Sequence, residues 1–163
     1  QPLALDEVVR DSLMRHLHRA DALGVDLGVD FEEGLRLPVW IAAQRALLEG
    51  VLDNLVDNAM RYGVPPDGQH RHVTVEIASV PGSSDVALSV IDNGPGVSPE
   101  QLKQLTQRWV QGSAGEALKE GSGLGLAIVL EIADKHRARV TLGDTHPGQT
   151  PPGACFSVRF KPT

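Results

Sequence analysis

The sequence predicts an α+β fold: a two-layer α/β sandwich in which helices cover one face of a mixed β-sheet. Three observations carry this. Segments of strand period and of helix period are partly segregated along the chain rather than alternating strand, helix, strand. The strands alternate apolar and polar residues, so each has one face to bury. At 163 residues, with 41% hydrophobic and 22% charged residues, the chain reads as one domain, 1–163, with a single core.

The elements follow in order. Residues 5–23 have the spacing of an amphipathic helix, with Asp6 as its N-cap. Residues 25–31 alternate as a half-buried strand does, and 35–40 read as a second short strand. Residues 42–62 are helical in period until Pro65 and Pro66 break the pattern. Val73, Val75 and Ile77 share one face of a strand, and Val86, Leu88 and Val90 share one face of the next. Pro81, Gly82, Ser83 and Ser84 form the loop between them. Residues 124–136 are a second strong helix. Val140 and Leu142 mark a strand, and Phe156, Val158 and Phe160 mark the last. The Pro/Gly-rich segment 146–153 joins these two.

Bulk properties narrow the function. A net charge of −6 argues against non-specific binding of nucleic acid. Aromatic residues are 4% of the chain, too few for a base-stacking platform. One cysteine, Cys155, excludes an internal disulfide and fits a reducing compartment. No apolar run is long enough to span a bilayer, no signal peptide is visible, and Gln1 in place of Met reads as the start of an excised piece.

Three segments carry chemistry. Asn54, Asn58 and Arg61 are spaced i, i+4, i+7, so they form one helical stripe. Leu48, Leu52, Leu55 and Ala59 form a second, turned by roughly 100° or more, so one stripe can enter the core while the other faces a pocket. Asparagine is a modest helix former, and two on one face in mid-helix need a reason. Asp92 follows an apolar strand and opens the turn Asn93, Gly94, Pro95, Gly96. Its carboxylate can accept from the exocyclic amine of adenine, and glycines let backbone approach a flat base. Taken alone, the stripe reads as a solvated face and the turn as an ordinary one. Gly121, Ser122, Gly123, Leu124, Gly125 and Leu126 open a helix whose free N–H groups and dipole suit phosphate. These glycines do not have dinucleotide-fingerprint spacing. His16 and His18, and His70 and His72, have no Cys or acidic partner at metal-site spacing, and they read as surface histidines.

In order and spacing, these three segments resemble the N, G1 and G2 boxes of the ATP-binding catalytic domain of bacterial sensor histidine kinases. That domain shares its superfamily with DNA gyrase, MutL and a heat-shock chaperone. The resemblance covers nearly the whole chain and implies the same sandwich. It implies that Asn58 coordinates Mg²⁺, that Asn54 sits near the metal and phosphates, that Arg61 contacts phosphate as a fork, and that Tyr62 flanks the nucleotide. Asn54 and Arg61 are then the residues nearest the chemistry. Asp92, Gly94 and Gly96 would hold the adenine, and Gly121–Leu126 the phosphates. Residues 97–120 would be a lid, with Trp109 in place of the family's Phe. Gln111 stands where relatives often carry an arginine, and Arg108 is the candidate substitute.

The activity implied is transfer of the γ-phosphate of ATP to a histidine on a separate dimerisation and phosphoacceptor domain, which this sequence lacks. The implied setting is two-component signalling. A cognate response regulator would be the partner of the full kinase, the parent would lie in the bacterial inner membrane with this domain in the cytoplasm, and this piece would be monomeric. Two alternatives stay open. One is a hydrolytic ATPase of the same superfamily, disfavoured because Asn54 stands where such enzymes keep a Glu base. The other is a degenerate module that only docks partners.

Overall fold

The computed structural model describes residues 2–62, 70–96, 139–144 and 153–163. The expected lid at 97–120, the Gly121–Leu126 loop, the helix at 124–136 and the breaks at 64–68 and 146–152 lie outside the described residues. The side chain of Tyr62 does too.

Along the chain run β1 (Pro2–Ala4), α1 (Leu5–Ala22), β2 (Val25–Phe31), β3 (Trp40–Ala42), α2 (Arg45–Tyr62), β4 (Arg71–Ser79), β5 (Val86–Asp92), β6 (Arg139–Asp144) and β7 (Ala154–Phe160). Five strands form one sheet in the order β2-β4-β5-β7-β6. β2 and β4 are parallel and the remaining neighbours antiparallel, so the sheet is mixed as expected. Both described helices pack on one face of it: α1 against β2 and α2, α2 against β4 and β5.

The alternation read from the sequence explains the layers. Val25 and Leu27, Val73, Val75 and Ile77, Val86, Leu88 and Val90, and Phe156 and Val158 all turn inward and are buried. They meet Leu48, Leu52, Leu55 and Ala59 of α2 together with Val8 and Val9 of α1. Each fully buried aliphatic side chain contributes on the order of 1.5–3 kcal/mol. The opposite face carries Thr74, Glu76, Ser89, Ser157 and Arg159, and Ser89 and Ser157 share a hydrogen bond at 2.7 Å across β5 and β7. Helix α1 stops one residue earlier than expected. Gly24 turns the chain at φ 69°, a left-handed conformation favouring glycine, and β2 begins at the next residue.

Two expectations are corrected. Asp6 is not the N-cap of α1, because the cap is Ala4 and no side chain bonds there. Asp6 instead lies in the first turn, buried, where it accepts the Val39 N–H at 2.9 Å and pairs with Arg10 at 3.0 Å. The carboxylate thus serves the loop ahead of β3, a distant partner that helix-start rules do not consider. The strand expected at 35–40 is also displaced. β3 begins at Trp40, past Pro38, which has no N–H to give a ladder. It pairs with β1, a strand the sequence did not announce, in a separate two-stranded ribbon. The chain end joins this ribbon through an Ile41–Pro162 bridge and a Thr163 N–H to Trp40 carbonyl bond of 2.9 Å.

Candidate nucleotide site

The site is built at one end of the sheet, where the last residue of β5 meets the start of β4 and the end of α2. Asp92 pairs with Val73 in the ladder. Arg71, at the start of β4, donates to the Met60 carbonyl near the end of α2 and to the Leu23 carbonyl at 3.2 Å. The asparagine-bearing helix and the Asp92 turn are therefore fastened to the same strand terminus.

Asp92 is 7% exposed. Its Oδ1 accepts two backbone N–H groups, from Gly94 at 2.8 Å and from Ala154 at 3.1 Å. Burial pushes its pKa above the ordinary 3.8, and the bonds from Gly94 and Ala154 pull the other way without cancelling that push. With Oδ1 committed, Oδ2 remains for a ligand among the described residues. A carboxylate raised by desolvation gains from any donor that reaches it. The turn is stitched further: the Gly153 N–H donates to the Gly94 carbonyl at 3.0 Å. Gly96 has φ 86°, so this position of the turn favours glycine for a conformational reason.

On α2 the two stripes separate as the spacing requires. Leu48, Leu52, Leu55 and Ala59 are buried, while Asn54 and Asn58 are half-buried and Arg61 is exposed. Asn54 donates its amide NH₂ to the Gly50 carbonyl one turn back, at 2.8 Å, and its Oδ1 has no partner among the described residues. The Asn58 amide has no hydrogen-bond partner among the described residues. Arg61 leans back on Asp57 at 3.2 Å, and Asp57 also pairs with Arg19 of α1. Arg61 is thus neutralised by a neighbour rather than stretched toward Asp92.

Sequence reasoning missed three contributors. The Ala154 N–H holds Asp92 from the far end of the chain. Asn93 accepts the His72 N–H at 2.8 Å and donates to the His70 carbonyl, locking the turn onto β4. Arg71 ties α2 to that strand. Only Asn93 had a local signal, its place within the turn; the other two depend on chain contacts that spacing cannot show. One reading is corrected. His70 and His72 do have an acidic neighbour, Asp26 of β2, which the parallel register sets opposite His72.

The site thus joins a buried carboxylate on a glycine turn to a helix bearing two half-buried asparagines. Residues 43–163 match the family described as histidine kinase-, DNA gyrase B- and HSP90-like ATPase, and the chain belongs to that family. It is 33% identical over 158 residues, 97% of this chain, to the signal transduction histidine-protein kinase/phosphatase MprB of Mycolicibacterium paratuberculosis, and 32% identical over the same share to that of Mycobacterium avium. The chain spans 28% of the length of each of these curated relatives. Among solved structures, it is similar to the mycobacterial sensor histidine kinase MprB, with a TM-score of 0.76 at 23% identity, covering 99% of this chain and 98% of that one. It also resembles the catalytic domain of the histidine kinase ThkA, with a TM-score of 0.73 at 19% identity over 99% and 94% of the two chains. These likenesses agree with the α+β fold expected from the sequence. The chain is a histidine-kinase-type ATPase domain.

Proposed function

We propose that this domain binds ATP with Mg²⁺ and presents the γ-phosphate to a histidine on the dimerisation and phosphoacceptor domain of its own kinase, in a two-component pathway. The observation that carries the reading is Asp92. It is a buried carboxylate whose Oδ1 is saturated by the Gly94 and Ala154 N–H groups, which leaves the other oxygen for the amine of adenine. Guanine carries an acceptor oxygen where adenine carries that amine, so the carboxylate selects adenine. Full-length ShkA, solved in complex with AMPPNP, is similar to this chain at 25% identity, with a TM-score of 0.72 over 100% of this chain and 31% of that one. That likeness supports an adenine nucleotide as the ligand.

Magnesium prefers oxygen ligands and keeps several waters, so one uncommitted amide oxygen suits it better than a ready-made cage. The Asn58 side chain, half-buried and without a described partner, fits this role, and Asn54 Oδ1 lies one turn away on the same stripe. Bound there, Mg²⁺ would supply charge neutralisation on the phosphates. Arg61 supplies a mobile guanidinium, exchanging Asp57 for phosphate oxygens when nucleotide arrives. Tyr62, Gly94 and Gly96 complete the nucleoside end, and Gly121, Ser122, Gly123, Leu124, Gly125 and Leu126 the phosphate end, under a lid of about residues 97–120. Asn54, its NH₂ bonded to the helix backbone, offers no base near neutral pH. That favours phosphotransfer over hydrolysis.

The response regulator is the partner of the whole kinase, whose sensing part would lie in the inner membrane with this domain on the cytoplasmic side. Among the described residues, no helix is long and apolar enough to cross a membrane. The test is incubation with labelled ATP. The domain alone should stay unlabelled and release phosphate slowly. The matching histidine hairpin added in trans should become labelled with an acid-labile, alkali-stable phosphate. Brisk phosphate release by the domain alone, lost in Asn58→Ala, would establish a hydrolytic ATPase instead.

A further inference from the structure

The exposed face of the sheet carries a second constellation, outside the proposed nucleotide site. Asp26 on the edge strand β2, His70 just ahead of β4 and His72 within it place one ligand atom each within 4.8 Å of the others. The parallel register sets Asp26 directly opposite His72, and the ring of His70 lies against that of His72. We infer that Asp26, His70 and His72 form a binding site for a divalent late first-row transition cation, with Zn²⁺ as the natural occupant.

The donor set is two imidazoles and a carboxylate, the mixture that suits zinc rather than magnesium or calcium. Ligand bonds of about 2.0–2.1 Å in a tetrahedron put neighbouring donor atoms about 3.3–3.4 Å apart. His72 Nδ1 and Asp26 Oδ2 already stand 3.3 Å apart. The rings of His70 and His72 lie 4.7 Å apart at 73°, edge to face, so two ring nitrogens can converge on one ion without stacking. A modest side-chain rotation of His70 closes the set, and water completes the fourth position, as in zinc sites with three protein ligands.

The backbone under the ligands is fixed in advance. Asn93 accepts the His72 N–H at 2.8 Å and donates to the His70 carbonyl, so one side chain holds both histidine-bearing residues. Arg71, between them in sequence, turns its guanidinium to the Met60 and Leu23 carbonyls. Its charge is thereby engaged elsewhere than at the ion. A cation here would clip β2 to β4 one residue from the Asp92 turn.

The probe is Zn²⁺ alone, titrated into the tag-free, nucleotide-free chain by calorimetry and by competition with a chromophoric chelator. One ion should bind per chain. His70→Ala and His72→Ala should each weaken binding by at least the roughly 10- to 100-fold that even outer-shell changes cost a metal site. Asp26→Asn should weaken it, and His18→Ala, an exposed histidine on α1, should leave it unchanged. An unaltered amide NMR spectrum shows that each variant is folded. Zinc should also shift the ring resonances of His70 and His72 in the wild type. No zinc uptake at millimolar concentration would overturn the site, as would uptake indifferent to both His70→Ala and His72→Ala, or uptake lost equally in His18→Ala.

Discussion

The two halves of the proposed nucleotide site are built in opposite ways. At the base-binding end, Asp92 is 7% exposed and its Oδ1 is held by two backbone N–H groups. Asn93 and Gly153 stitch the same turn to β4 and to the start of β7. At the phosphate-binding end, the α2 stripe presents half-buried and exposed side chains. Among the described residues, Asn54 bonds only its own helix, Asn58 has no partner, and Arg61 is engaged by Asp57. The first end is held by backbone hydrogen bonds before ligand arrives, whereas at the second Arg61 must exchange its partner to reach a phosphate. Under the proposed function, such a site would recognise its base by preorganisation, which saves ordering entropy on binding. It would take the phosphates by exchange of a charge, Arg61 leaving its partly exposed pair with Asp57, which stays paired with Arg19.

The largest effect should come from removing the fixed end. Asp92→Ala deletes a hydrogen bond to a charged group, worth roughly 1.5–3 kcal/mol. ATP affinity measured by calorimetry should therefore fall about 10- to 150-fold, and preference for ATP over GTP should erode. An unchanged affinity would reduce Asp92 to a turn residue. A smaller and different effect should follow at the exchangeable end. Asn58→Ala should reduce the Mg²⁺-dependent part of ATP binding by about 10-fold, as for a net contribution near 1.5 kcal/mol. The fold should be unharmed, because alanine is the better helix former. Equal losses with and without Mg²⁺ would remove Asn58 as the metal ligand.

How much of this was legible in the sequence follows the same division. The core face of every sheet strand whose side chains are described, and the buried stripe of α2, were readable, because period-2 and period-3.6 patterns record which side faces apolar neighbours. Asp92, Asn54 and Asn58 were readable as candidates from residue type and spacing. What was not readable depends on contacts distant in sequence. Asp6 resembles an N-cap locally, yet it bonds Val39. The β1–β3 ribbon pairs two three-residue strands too short to carry a period. The Ala154 N–H reaches Asp92 across 62 residues. Asp26 meets His72 only because β2 and β4 run parallel in that register.

The central claim is that Asp92 is held by the fold through Oδ1 and serves adenine through Oδ2, and Asp92→Asn tests it most directly. Burial raises the Asp92 pKa, so folding favours its protonated form. Its contribution to stability is present below the unfolded-state pKa and is lost as pH rises through the folded one. Once ionised, the group therefore costs stability. In Asp92→Asn the amide oxygen can still accept from Gly94 and Ala154, which turns the NH₂ toward the ligand, donor against donor. Thermal unfolding and ATP calorimetry at neutral pH should accordingly separate: the unliganded variant as stable as wild type or more so, with ATP affinity reduced about 10-fold or more. A variant that loses stability while binding ATP as tightly as wild type would contradict the account.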